Sequence, residues 1–297
     1  MANISGIRTH MKSVGNIKKI TKAMGMVASA KLHTGQKLAM ASEPFAEKLH
    51  NIMLMALGDK AVLAGLNINQ NPLLAVRKVL KKAYLVVGSD EGLAGSYNTN
   101  VIKHLGVETK GRENDIIIAV GRKIKEELRR NAYTVKDAFS GFSQQPSFEA
   151  AEEVADVVEK LFVNGEVDEI NLVYTNFKSS VTQIPVTERI LPIKVVQEAT
   201  AETEGNQDKA DFTGVIFEPS AGEMLPDLAR YYVRSMIYTA LLQGAASELA
   251  ARMTSMTAAT DNADDLLQKL QTGYNKARQA GITNEINEIV SGAEALK

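Results

Sequence analysis

From about Pro226 to the last residues, apolar positions recur at Leu249, Met253, Met256, Ala259, Ala263, Leu267, Leu270, Tyr274 and Ala277. Steps that alternate mostly between three and four put these side chains on one face of a helix. Beyond Gly281 the seam resumes one residue out of phase at Ile282, Ile286, Ile289 and Ala293, and it reaches back through Leu228, Tyr231, Met236 and Leu242. The pattern predicts a helix of about 70 residues, roughly 105 Å at 1.5 Å per residue. No compact core is that wide, so this helix needs a second long helix as its partner.

The N-terminal stretch supplies one. From Asn3 to about Leu57 the apolar positions are Ile4, Ile7, Met11, Val14, Ile17, Ile20, Met24, Val27, Leu38, Phe45, Leu49, Ile52 and Ala56. These predict a helix of about 55 residues, near 80 Å long. Gly6, Gly15, Gly25 and Gly35 lie within it. Each costs about 1 kcal/mol of helix propensity against Ala, and close approach of a partner backbone is the compensation expected. Arg8, Lys12, Lys18, Lys19, Lys22, Lys31 and Lys37 all precede the first acidic residue, Glu43. So many like charges on one helix repel in isolation, so a partner surface rich in carboxylates is expected. A transit peptide is also basic and poor in acid, but here the apolar seam continues through the basic region without a break.

Between the two helices the period changes. Asp59–Gln70 reads as a connection, and a helical pattern returns briefly over Pro72–Lys82. Ala83–Val87, Asp115–Val120 and Glu169–Thr175 are short buried-strand runs, interleaved with helices through Val101–Leu105, over Arg122–Arg130 and over Ser147–Val163. This alternation predicts a small, largely parallel α/β sheet covered by helices. Val181–Ile193 reads as an edge strand, Gln197–Asp211 as a polar acidic loop, and Thr213–Phe217 as a last strand before Pro219 and Pro226 mark the start of the long helix. The organisation is discontinuous: residues 1–58 and 220–297 form a coiled-coil shaft, 59–76 a connection and 77–218 an α/β domain.

Composition narrows the chemistry. The apolar fraction is 45%, with no Trp and few aromatics, which suits helix seams better than a deep aromatic ligand pocket. A net charge of −1 argues against a general nucleic-acid binder. The absence of Cys excludes disulfides, thiolate metal sites and cysteine nucleophiles. No apolar run approaches the ~20 residues a membrane span needs. Gly88–Ser96 follows a strand and opens a helix, as phosphate-binding loops do. It lacks the Lys-Ser/Thr of a P-loop and the glycine spacing of a dinucleotide fingerprint, so its glycines read as those of a tight turn. Gly121, a lone glycine at the next junction, carries no signal. Asp90 and Glu91 read as solvated neighbours with no third group to orient them. His10, His33, His50 and His104 have no ligand-spaced partners. No catalytic, cofactor or metal residues are expected.

Three segments carry a resemblance. SVGNIKKITKAMGMVASAKL (Ser13–Leu32), LVVGSDEGLAGSYNTNVIK (Leu85–Lys103) and the pair ASELAARMTSMTAATDNA and YNKARQAGITNEINEIVSGAEAL resemble, in order, the gamma subunit of rotary F-type ATP synthases. The resemblance covers nearly the whole chain. It implies a Rossmann-like α/β domain inserted between two long terminal helices that form an antiparallel coiled coil. It also implies the role of a non-catalytic rotor shaft inside a hexamer of three alpha and three beta subunits, with the epsilon subunit and the membrane ring of c subunits below. The family's contacts with the catalytic ring carry over to Lys22 and Met24 on the first helix and to Arg252, Arg278, Gln279 and Thr283 on the last. The expected location is the cytoplasmic face of a bacterial plasma membrane, because no presequence is apparent. Ile17 stands where the family often has Thr, and Leu249 where a polar residue is frequent.

Overall fold

The computed structural model describes residues 4–58, 72–110, 114–193, 217–218 and 220–294. Within them the elements are α1 (Ile4–Gly58), β1 (Lys82–Val87), α2 (Tyr97–Glu108), β2 (Ile116–Val120), α3 (Arg122–Arg130), β3 (Val135–Phe139), α4 (Phe148–Val163), β4 (Glu169–Phe177), β5 (Gln183–Leu191) and α5 (Ala221–Glu294). The two terminal helices have 55 and 74 residues, as their seams predict. The α5 helix starts five residues before Pro226, where the Ser220 hydroxyl accepts the Glu223 N–H at 3.3 Å. The chain divides into two compact units, residues 1–29 with 252–297 and residues 30–251.

The sheet has the order β3-β2-β1-β4-β5. β1 pairs in parallel with both β2 and β4, β2 in parallel with β3, and β5 antiparallel with β4. Apolar side chains alternate between two faces, as strand geometry requires. Leu85, Val87, Ile118 and Leu172 pack toward Val154, Val158 and Phe162 of α4 and Val233, Ile237 and Leu241 of α5. Tyr84, Val86, Ile117 and Val173 pack toward Val101 and Leu105 of α2 and Ile124 and Leu128 of α3. Burial on both faces explains why β1 and β2 read as uninterrupted apolar runs.

Two departures from the sequence reading stand out. The pattern over Pro72–Lys82 forms only a 3-10 turn at Pro72–Leu74. The Leu80 and Lys81 N–H groups instead donate to the Asp168 carboxylate at 2.9 and 3.0 Å, which holds the chain open ahead of β1. β3, reading VKDAF, escaped prediction because it is a half-exposed edge without a buried apolar run. The connection at Asp59–Gln70 and the acidic loop at Gln197–Asp211 lie outside the described residues, as does the strand expected at Thr213–Phe217 apart from Phe217 itself.

Candidate functional site

In the unit formed by residues 1–29 and 252–297, positions rise along α1 as they fall along α5. Lys18 forms an ion pair with Asp264. The hydroxyls of Thr21 and Thr260 lie 2.9 Å apart. A Cβ on Gly25 would sit 3.4 Å from Met256 Cβ, and one on Gly281 would sit 3.7 Å from Ile4 Cδ1. The pairing is therefore antiparallel. Within the unit of residues 30–251, a Cβ on Gly35 would fall 3.7 Å from Leu249 Cδ1.

The buried line on α1 runs through Val14, Ala28, Leu32, Ala39, Leu49, Met53 and Ala56. Lys18, Thr21, Gly25 and Gly35 fall on the same three-four spacing. This line is not the one that bulk hydrophobicity picks out. Ile17, Ile20, Val27, Leu38, Phe45 and Ile52 are exposed, because small residues let the two backbones come together and the large ones are turned outward. The glycine expectation holds at Gly25 and Gly35 and fails at Gly15, which has nothing within 4 Å of a Cβ position. On α5, Leu249, Met256 and Ala263 are buried, whereas Ile282, Ile286 and Ile289 are exposed at 47%, 54% and 71%. The described part of α1 begins at Ile4, level with Gly281, so among the described residues no α1 surface lies opposite the continued seam.

The six residues expected to meet partners fall at separate levels. Lys22 is exposed and Met24 half-buried on α1, near the level of Thr260. Arg278, Gln279 and Thr283 are exposed on α5, about 27 Å further along at the helical rise. The Thr283 hydroxyl donates to the Gln279 carbonyl at 2.9 Å. Arg252, expected from the resemblance to meet the catalytic ring, is buried at 4% exposure. Of the seven early cations, Lys18 bonds Asp264 and Lys31 donates to Gln144 at 2.9 Å, while Arg8, Lys12, Lys19, Lys22 and Lys37 are exposed.

The α/β domain has the strand order in which nucleotides bind at the carboxyl ends of strands where the order reverses. Here that point lies between β1 and β4, and α5 fills it. A Cβ on Gly244 would come within 2.9 Å of Val87 Cγ1 and 3.3 Å of the Tyr97 hydroxyl. The Tyr97 hydroxyl donates to the Gly244 carbonyl at 3.2 Å, the Ser247 hydroxyl to the Thr175 carbonyl at 3.1 Å, and the Phe177 N–H to Gln243 Oε1 at 3.1 Å.

The other place for an anion, at the start of α3, is taken by the chain itself. Asp90 accepts the N–H groups of Arg122 at 2.9 Å, Gly141 at 2.9 Å and Ser143 at 3.0 Å. Burial pushes its pKa up, but these donors prevail and hold it below the ordinary aspartate value. Asp90 is thus a built-in anion where the sequence suggested a solvated carboxylate. The glycines do read as turn glycines. Gly88 has no room for a side chain, since a Cβ would lie 2.3 Å from Ile124 Cβ. Gly121, which carried no sequence signal, has φ +120°, and a Cβ there would meet the Ser89 carbonyl oxygen at 2.6 Å.

Comparison with known proteins places this architecture. Residues 3–296 match the ATP synthase family. The ATP synthase gamma chain of Heliobacterium modesticaldum is 38% identical over 296 residues, covering 100% of both chains. The chain belongs to the ATP synthase gamma chain family. A sodium ion specific gamma chain from Acetobacterium woodii is 36% identical, covering 99% of each. A chain of the mitochondrial ATP synthase of Euglena gracilis, in an OSCP/F1/c-ring structure, shares the fold with a TM-score of 0.73 over 99% of this chain and 94% of that one, at 19% identity. As in the sequence reading, the chain joins a mixed five-stranded sheet to long terminal helices. None of its described helices is long and apolar enough to cross a membrane.

Proposed function

We propose that this chain is the central rotor shaft of an F-type ATP synthase. It couples ion-driven rotation of the membrane c ring to conformational changes at catalytic sites borne by the alpha and beta subunits, and it has no catalytic site of its own. The carrying observation is the antiparallel pairing of α1 and α5 on small residues, which turns Ile17, Ile20, Val27 and Leu38 outward together with Arg8, Lys12, Lys19, Lys22 and Lys37 of α1. Closely apposed long helices with a continuous seam resist twisting. Unlike faces presented to identical surrounding subunits favour a different conformation in each, and rotation exchanges them. The filled crevice and the self-supplied Asp90 carboxylate argue against a nucleotide site in the α/β domain.

In this reading residues 1–58 and 220–297 serve as the shaft and 77–218 as the domain that meets the epsilon subunit and the c ring. The chain is peripheral to the cytoplasmic face of a bacterial plasma membrane and is attached only through partners. Lys22, Met24, Arg278, Gln279 and Thr283 are the contacts with the alpha and beta subunits, whereas Arg252, expected among them, is buried within the chain. Exposed ion pairs are worth about 1 kcal/mol or less each, which suits a surface that moves past its partner. The test is reconstitution with purified alpha and beta subunits, assayed for ATPase and rotation. A rotating 3:3:1 complex that forms only with this chain is the expected result. Nucleotide bound by the chain alone, without assembly, would favour a nucleotide-binding α/β enzyme instead. Within an active complex, Arg278→Ala combined with Gln279→Ala is expected to lower coupled synthesis roughly tenfold, equivalent to about 1.4 kcal/mol. Unchanged synthesis and assembly would remove those two residues from the contact set.

A further inference from the structure

An open polar cleft of about 400 Å³ lies between α1 and the turns at the carboxyl end of the sheet, lined by Lys31, Asp90, Glu91, Arg122, Ser143 and Gln144 among others. One chain of hydrogen bonds crosses it. Lys31 Nζ on α1 donates to Gln144 Oε1 at 2.9 Å, and Gln144 Nε2 donates to Glu91 Oε2 at 3.0 Å. The far end is not loose. Glu91 adjoins Asp90, whose carboxylate ties down Gly141 and Ser143, and the Asp90 N–H donates to the Ser143 hydroxyl at 3.0 Å. Behind it the Ser89 hydroxyl donates to the Glu91 carbonyl at 2.7 Å, and Asn98 bonds Ser89 through both its amide groups. A cation on the helix is thus joined, through one amide, to an anion on a turn fastened at several points to β1, α2 and α3.

We propose that Lys31, Gln144 and Glu91 form a strut that fixes the rotational setting of α1 against the α/β domain, and that they are positioning residues for coupling. The inference rests on the rotor reading. Around Lys31 the contact line of α1 is Ala28, Leu32, Gly35 and Ala39, with one large side chain among four to interlock against rotation of α1 about its own axis, whereas further along Leu49 and Met53 enter the core of the α/β domain. A lateral bridge on the outer flank supplies that resistance. The amide is suited to the role because it has an acceptor at one end and donors at the other, so its two ends face the cation and the carboxylate with matching polarity.

That polarity gives the test. In the complete ATP synthase assembled in membrane vesicles, one measures gradient-driven ATP synthesis relative to ATP hydrolysis for Lys31→Glu, Glu91→Lys and the two together. Each single change sets like charges at both ends of Gln144. It is expected to lower the ratio by roughly two- to tenfold, the span of one exposed hydrogen bond, with subunit content and hydrolysis unchanged. In the double variant the amide turns over and the ratio returns toward the wild-type value. Gln144→Ala, which leaves both charges in place, is expected to match the singles. Singles that keep the wild-type ratio, or a double no better than either single, overturn the strut while leaving the rotor reading intact. A wild-type chain that supports no coupled synthesis overturns both.

Discussion

Asp90 and Gly121 hold one junction together from opposite sides, and each can be tested by a minimal change. Asp90→Asn keeps one carbonyl oxygen but turns an amide NH₂ toward N–H donors that now meet a carboxylate. It is expected to cost about 2 kcal/mol at neutral pH. Because the folded pKa of Asp90 lies below the ordinary value, its contribution is present above the unfolded pKa and fades as pH falls through the folded one. Urea midpoints across the acid range should therefore decline more steeply in the wild type than in the variant, and parallel curves would refute the assignment. Gly121→Ala must place a Cβ at φ +120° and 2.6 Å from a carbonyl oxygen, with an expected loss of about 3 kcal/mol in thermal unfolding. Neither role was legible in the sequence. The donors to Asp90 come from residues 32 to 53 positions away, and Gly121 is a single glycine whose necessity depends on where the Ser89 carbonyl lies.

Elements were read more successfully than their faces. Both terminal helices were legible from periodicity, as were β1, β2, β4 and α3, whose Arg122–Arg130 span matches the reading. What misled was the choice of face on α1, where Ile17, Ile20 and Phe45 outweigh Thr21, Gly25 and Ala28 on any hydrophobic scale yet point outward. Helix contact is decided there by how closely backbones approach, and small residues win that competition. The consequence can be measured with two substitutions in one helix. Gly25→Leu forces a side chain against Met256, whose Cβ already lies 3.4 Å from the Cβ position, and is expected to cost about 2 kcal/mol of stability. Gly15→Leu meets nothing within 4 Å and is expected to gain up to about 1 kcal/mol from helix propensity. Equal thermal midpoints for the two would mean that the glycine-lined contact is not what joins the helices.

For the whole molecule, the question is whether α1 and α5 work as one body or must move past each other. The hydroxyl oxygens of Thr21 and Thr260, 2.9 Å apart, mark a place where the two helices can be locked together. The chain has no cysteine of its own, so Thr21→Cys with Thr260→Cys introduces a single possible intramolecular bond, and a 2.9 Å approach of the γ atoms is compatible with the short Cβ–Cβ separation a disulfide needs. If the paired helices turn together inside the catalytic subunits, oxidation should link them completely and leave ATP-driven rotation and hydrolysis at the rate of the reduced form, to within about twofold. A device that signals by sliding one helix along the other would stop on oxidation and restart on reduction. The small-residue seam, the ion pair of Lys18 with Asp264 and the continuous three-four spacing all set one register. A slip by one residue would carry every small side chain off the line of contact, so locking the register should cost the motor nothing.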